Sequence, residues 1–288
     1  MGIAYTDTVM GIVLHTLSAL GYAGLAVRPW RALANHQAGT ALPIEKAGLA
    51  VVLLLHALAL YDAMLGNGPL QLGLGVAFSA TLWLGMVVFL FESLMIRVDS
   101  VRLLLLPLAA LAALSAVLMP PPIAIPHADN HWLPIHLILS LAAYGFMTIA
   151  ALHATIMAAA DRRLHRPTPA TGNVGMSRGW SHVLDAMPPL LVMERLLFRQ
   201  ILIGFVFLTL AIVTGARMSQ SLSGPLLPFD HKTVFTVLSW ITFGILLAGR
   251  MLRGWRGRIA LRYTLTGLIL LLLAYAGSRF VIEFLLHQ

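Results

Sequence analysis

Eight long apolar stretches, at approximately 8–27, 44–64, 71–96, 101–119, 134–160, 199–217, 233–251 and 261–284, take up most of this chain. A helix needs about 20 predominantly apolar residues to cross the hydrocarbon core of a bilayer. No water reaches that core, so the backbone must satisfy its own hydrogen bonds, as a helix does. The stretches therefore predict an all-α, polytopic integral membrane protein with eight transmembrane helices, a single domain over 1–288. Charged residues are only 10% of the chain, whereas a soluble domain needs about 25% to cover its surface. Lipid must cover much of this one. Short links such as 66–69 and 97–100 make neighbouring helices antiparallel hairpins.

The 19 Lys and Arg residues set the orientation. Sixteen fall in alternate connections, around Arg28, Arg31 and Lys46, at Arg97 and Arg102, from Arg162 to Arg199, and from Arg250 to Arg262. Only Arg217, Lys232 and Arg279 belong to the other side. Cytoplasmic connections carry the excess of cations, so both termini are predicted on the outer, periplasmic-type face of a bacterial inner membrane. The net charge of +8 is then a topology signal. Its Arg residues sit between apolar blocks rather than along one polar face, which gives no reason to expect nucleic acid. The first apolar stretch has neither a basic region ahead of it nor a small-residue cleavage site, and is expected to stay as an anchor. The longest connection, 161–198, is predicted inside. Its Pro/Gly/Ser/Thr-rich part (166–179) reads as a mobile loop. The segment PPLLVMERLLFRQ (188–200) starts with prolines suited to a helix N-terminus and keeps helical apolar spacing. It predicts an interfacial helix running into helix six.

The chain has no cysteine, which excludes a disulfide framework, a thiolate metal site, a CxxC redox pair and covalent c-type haem attachment. It also lacks a P-loop and the GxSxG, HExxH and EF-hand patterns. A non-catalytic role is expected. What remains is histidine, and its distribution is uneven. His15, His56, His127, His131, His136, His231 and His287 all fall on the predicted outer half. His153 lies in the inner half of helix five, and His36, His165 and His182 in inner connections. Intramembrane ionisable groups are costly and mark function or pairing. Neutral imidazole is an axial ligand for haem iron, so histidines on different helices at matched depth could hold a haem. Equally, each could be a polar group hydrogen-bonded across a helix contact. Arg279 and Glu283 lie one turn apart and could neutralise each other, while the planar fork of Arg279 also suits a carboxylate such as a haem propionate. Asp62 and Asp230 read as ordinary helix-end residues.

Several segments resemble the cytochrome c assembly family of haem-handling membrane proteins, which includes CcsA- and CcmC-type members. The run WLPIHLILSLAAYGFMTIAALHATIMAAADRRL (132–164) is similar to a family helix that opens with an outer-side histidine, His136 here. The run DHKTVFTVLSW (230–240) is similar to the family's D-P-K-E-T-W-x-L-I-T-W, keeping Asp230, Lys232, an aromatic at Phe235, and Trp240. AYAGSRFVIEFLLH (274–287) resembles the family's last helix. With MPPLLVMERLLFR (187–199) and GWRGR (254–258), the resemblance is closest to the short YpjD-like, HemX-related branch and covers nearly the whole chain. It implies haem b as cofactor, His56 and His136 as iron ligands, and His287, His15, Asp230 and Arg279 as further haem-site residues.

One departure matters. Haem-transferring members carry a tryptophan-rich WGxxWxWD loop before helix seven, where this chain reads MSQSLSGPLLPFD (218–230). The missing aromatic platform argues against a cytochrome c synthase. The resemblance thus implies a haem-handling or assembly-accessory protein. A transporter of haem or a small solute, and a regulatory or structural partner of another membrane protein, for example in control of haem biosynthesis, are the alternatives.

Overall fold

A computed structural model describes residues 2–34, 42–66, 68–95, 101–125, 130–164, 190–222, 225 and 230–277. The helices are α1 (Gly2–Ala34), α2 (Pro43–Leu65), α3 (Leu74–Met95), α4 (Arg102–Leu118), α5 (Trp132–Leu164), α6 (Leu190–Ser221), α7 (His231–Arg253) and α8 (Arg258–Leu272). Local chemistry sets several ends. Pro43 occupies the first turn of α2, where its missing N–H costs nothing, and Glu45 reaches back to the Leu42 N–H at 2.8 Å. The Asp230 carboxylate caps α7 by accepting the Thr233 N–H at 2.7 Å.

Seven of the described helices are long and apolar enough to cross a membrane. The fourth expected span, 101–119, forms a shorter helix. Its 17 residues, at 1.5 Å each, reach roughly 26 Å against a hydrocarbon core of about 30 Å. It packs between α1 and α3 with Leu105, Ala109, Ala112 and Ala113 fully buried, while Leu111 and Leu118 face outward. The chain then leaves in extended form, and β2 (Ile123–Ala124) pairs antiparallel with β1 (Gln71–Leu72). That ladder occupies 71–72, so α3 begins at Leu74 rather than at 71 as the hydropathy suggested. The expected interfacial helix before span six is observed as the first turns of one continuous helix, α6. At its far end α8 widens into a π-helical turn, Leu273–Gly277. Arg279, Glu283, His287, His127, His36, His165, His182 and the 166–179 segment lie outside the described residues.

Helices α1 to α4 pack together, as do α5 to α8, and α3 joins the two groups by running against α5. The crossing of α3 and α5 is close. A Cβ on Gly145 would stand 3.2 Å from the Gly85 nitrogen and the Thr81 carbonyl oxygen, so a larger residue would have to push these backbones apart by a few tenths of an ångström. Large side chains such as Leu54, Leu58, Leu111 and Ile138 project outward from the bundle. Lipid, which is as apolar as leucine, is the solvent suited to them.

Candidate functional site

Helices α3, α5, α6, α7 and α8 enclose a cavity of about 490 Å³, within the range of small-molecule and cofactor sites. It lies toward the end of the bundle that holds the cation-poor connections, because Leu72, Ile125, Asp230 and Lys232 all line it. Most of its wall is aliphatic. The polar exceptions on α5 are His136, Ser140, Tyr144 and Thr148, spaced four apart and therefore stacked along one side of the helix. At 1.5 Å per residue this stripe runs roughly 18 Å into the membrane. Opposite it, α7 offers Thr233 and Thr236, while α6 presents small residues, Ala211, Gly215 and Ala216, that leave room.

His136 is held in a defined orientation. Its Nδ1 lies 2.9 Å from the Ala211 carbonyl oxygen and 3.3 Å from the Thr214 hydroxyl. A carbonyl can only accept, so Nδ1 carries the proton and Nε2 keeps a lone pair. The Nε2 atom has only the Ser140 hydroxyl nearby, at 3.5 Å, too long to engage it firmly. Gly215 makes this docking possible, since a Cβ there would come within 3.1 Å of the imidazole Cε1. Deeper in the cavity, the Tyr144 hydroxyl donates to the Leu271 carbonyl at 2.6 Å, where α8 approaches its π-helical turn. Such turns often accompany functional sites, and this one carries Tyr275, whose ring meets Tyr144 edge-on at 6.4 Å.

Asp230 and Lys232 stand at the mouth, both exposed and both lining the cavity. Partial burial pushes the Asp230 carboxyl up. Hydrogen bonds from the Thr233 N–H and hydroxyl, with the nearby charges of Lys232 and His231, outweigh that and hold it below the usual carboxylate range. Asp230 is therefore an anionic helix cap at neutral pH. The Lys232 ammonium is the one Lys or Arg charge among the described residues that line the cavity.

The histidines expected to act together fall into two places. His15 and His56 do meet, with ring centroids 5.9 Å apart and edge to face. They sit among α1, α2 and α3, closed from solvent. His56 is engaged at both nitrogens, Nδ1 with the Tyr22 hydroxyl at 3.1 Å and Nε2 with the Ser79 hydroxyl at 2.7 Å. His15 donates through Nδ1 to the Gly11 carbonyl at 3.0 Å. Neither lines the cavity, whereas His136 and Asp230 both do. The His131 ring lies 5.0 Å from that of Trp132, tilted by 43°, and His231 is exposed at the start of α7.

Other polar groups emerge that were not singled out from the sequence. Gln200 on α6 is fully buried and bridges two helices. Its amide N–H groups donate to Glu92 on α3 at 2.7 and 2.8 Å, and its carbonyl accepts from His153 Nδ1 at 2.7 Å. Toward the cation-rich end, Glu45 binds Arg28 at 2.8 Å and Arg102 at 3.1 Å, tying α1, α2 and α4. Glu194 pairs with Arg250, whose guanidinium lies over the Phe198 ring at 4.7 Å. These contacts fasten helices together, and the cavity is elsewhere.

Known proteins align with most of this architecture. The family described as cytochrome C assembly protein matches residues 47–286. An uncharacterized 28.8 kDa protein in the nifR3-like 5' region of Azospirillum brasilense is 31% identical over 226 residues, 76% of this chain and 78% of the relative. Inner membrane protein YpjD of Escherichia coli (strain K12) is 34% identical over 147 residues, 51% of each chain. Cytochrome c biogenesis protein CcsA of Prochlorococcus marinus (strain AS9601) is 27% identical over 165 residues, 54% of this chain and 53% of the relative. The chain thus spans about half the length of the YpjD and CcsA relatives. No solved structure matches it.

Proposed function

This chain belongs to the cytochrome c assembly protein family, and on that premise we propose that its cavity holds haem b with His136 as an axial ligand, in a haem-handling accessory protein. The chain is a YpjD-like, multi-pass protein of the bacterial inner membrane. The observation that carries the reading is the His136 ring. Its Nδ1–H is fixed on the Ala211 carbonyl, and a carbonyl on the remote nitrogen is the usual device that orients a metal-bound imidazole and raises its basicity. The other nitrogen keeps its lone pair at the wall of an apolar cavity of cofactor size. With no cysteine in the chain, attachment through CxxCH is closed, which favours a non-covalent haem.

The residues present fit that group. Neutral imidazole, aliphatic walls and an ammonium at the mouth match an iron porphyrin's metal, macrocycle and carboxylates. Bound there, the group would supply a redox-active iron. The chain's own part is to orient, to keep water off and to hold the ligand. His136 provides the iron contact, Leu137 and Leu141 on α5 exclude water, and the Tyr144 hydroxyl, committed to Leu271, shapes the wall. The 16-to-3 distribution of cations supports placing this cavity and both termini on the outer side. That arrangement makes α4 an eighth crossing, completed by the extended residues that follow it. The absence of tryptophan from 218–230 supports an accessory role over a synthase.

The visible absorption spectrum of protein purified gently from haem-replete cells tests the reading. A Soret band is expected. His136→Ala should lower haem occupancy or shift the spectrum toward a high-spin form, and added imidazole should partly restore it. The reading fails if the wild type shows no Soret absorbance and binds added hemin no better than an unrelated membrane protein.

A further inference from the structure

Cations are scarce at this end of the molecule. In the sequence only Arg217, Lys232 and Arg279 fall outside the cation-rich connections, and the bias against outer-side cations gives Lys232 no topological reason to be where it is. Its position suggests a local one. Lys232 is exposed, yet it lines the cavity in the first turn of α7. Its charge acts on both His136 and Asp230. The other polar side chains facing inward, from His136 and Ser140 to Tyr144, Thr148, Thr233 and Thr236, are neutral or hydroxylic. Asp230, whose carboxylate accepts the Thr233 N–H, also lies within the field of the Lys232 charge. The positive end of the α7 dipole points the same way as the Lys232 charge and adds to it. An apolar chamber with, among the described residues, one cation at the mouth suits a ligand with an apolar body and an acid at one edge.

We propose that Lys232 is a specificity-determining residue of the cavity: its ammonium pairs with a carboxylate of the bound ligand, so that the ligand sits with its apolar edge inward and its acid edge at the first turn of α7. This rests on the reading of the cavity as a haem site, whose ligand carries two propionates. Lysine suits the task because its long stem can follow the cavity wall while its head stays in water. The pair would form at an exposed mouth, so its effect is modest, roughly two- to fivefold in affinity.

The test compares hemin with hemin dimethyl ester, which has the same iron and ring without the acids, by Soret titration of the full-length protein. Wild type is expected to bind hemin roughly two- to fivefold more tightly than the ester. Lys232→Met should erase that preference by weakening hemin while leaving the ester unchanged, and Lys232→Arg should retain it. His136→Ala should weaken both ligands and serves as the contrast. Equal binding of the two ligands by wild type, or equal weakening of both by Lys232→Met, overturns the role of Lys232 and leaves the haem site standing. If neither ligand binds wild type above an unrelated membrane protein, the haem site itself is overturned, and this inference with it.

Discussion

The imidazole of His136 on α5 gives its Nδ1 proton to the backbone carbonyl of Ala211 on α6, 2.9 Å away. A backbone acceptor cannot be mutated, but its neighbour can. Gly215 lies against the same ring, and a Cβ there would approach Cε1 to 3.1 Å and Nδ1 to 3.4 Å. Gly215→Ala should leave the fold intact, because alanine in a helix gains about 0.5–1 kcal/mol over glycine, which offsets a contact tight by a few tenths of an ångström. The ring must shift, so the Soret maximum of bound hemin should move. Gly215→Leu should displace the ring outright and lower hemin affinity. A Leu variant with wild-type affinity and spectrum would break the link between ring position and binding.

The closed histidine behaves differently. His56 satisfies the hydroxyls of Tyr22 and Ser79 within a site that has no solvent access. His56→Leu keeps most of the volume but strands both hydroxyls, and each buried polar group left without a partner costs about 1–3 kcal/mol. The melting temperature in detergent should fall, while the hemin spectrum at His136 should persist. Loss of the Soret spectrum with an unchanged melting temperature would instead make His56 an iron ligand.

Gln200 is the keystone of the cation-rich half, because its one amide serves both Glu92 and His153. Gln200→Leu should cost about 2–4 kcal/mol by leaving a carboxylate and an imidazole unsatisfied. Adding Glu92→Leu should recover part of this, since no stranded charge then remains. Thermal unfolding of the single and double variants measures the difference. If the double variant is the less stable of the two, the network is not what holds α3 to α6.

Orientation has a direct readout. With 16 cations on one side and three on the other, reporters active only outside the membrane should work when fused after residues 68, 125, 224 or 288. Fusions after 36, 99, 170 or 256 should be silent. A reversed pattern would put the cavity on the cytoplasmic side.

Seven of the eight expected spans were legible, because length and hydropathy follow from bilayer thickness alone. The junction of 188–200 with helix six was legible too, since apolar spacing carries on unbroken into α6. Hydropathy counts apolar residues and is blind to how they are used, so it did not distinguish Gln71 and Leu72, which pair in a ladder, from the helix that follows. It also overran α4 by one residue at each end, at the N-cap Val101 and at the extended Met119. The site was half legible. The outer-half position of the histidines, together with the family resemblance, drew attention to His56 and His136 alike. Which one faces a cavity depends on neighbours from α1, α3 and α6, a tertiary property. The stripe of His136, Ser140, Tyr144 and Thr148 was there to be read as four-residue spacing on an apolar helix. Gln200 left no such trace, because a lone neutral amide looks like any other polar residue until Glu92 and His153 are placed on either side of it.

The same stripe repeats every four residues on a helix that turns every 3.6, so each step advances about 40° around α5. From His136 to Thr148 the polar line swings through roughly a third of a circle. His136 accordingly addresses α6, while Tyr144, two steps on, addresses α8. The chamber is therefore handed, like the thread of a screw. A flat guest slid into it meets unlike walls on its two faces, and flipping the guest over would exchange them. A planar molecule whose edges differ will settle in one of its two flips, so this winding alone can sort orientations of a ligand that is otherwise nearly symmetric.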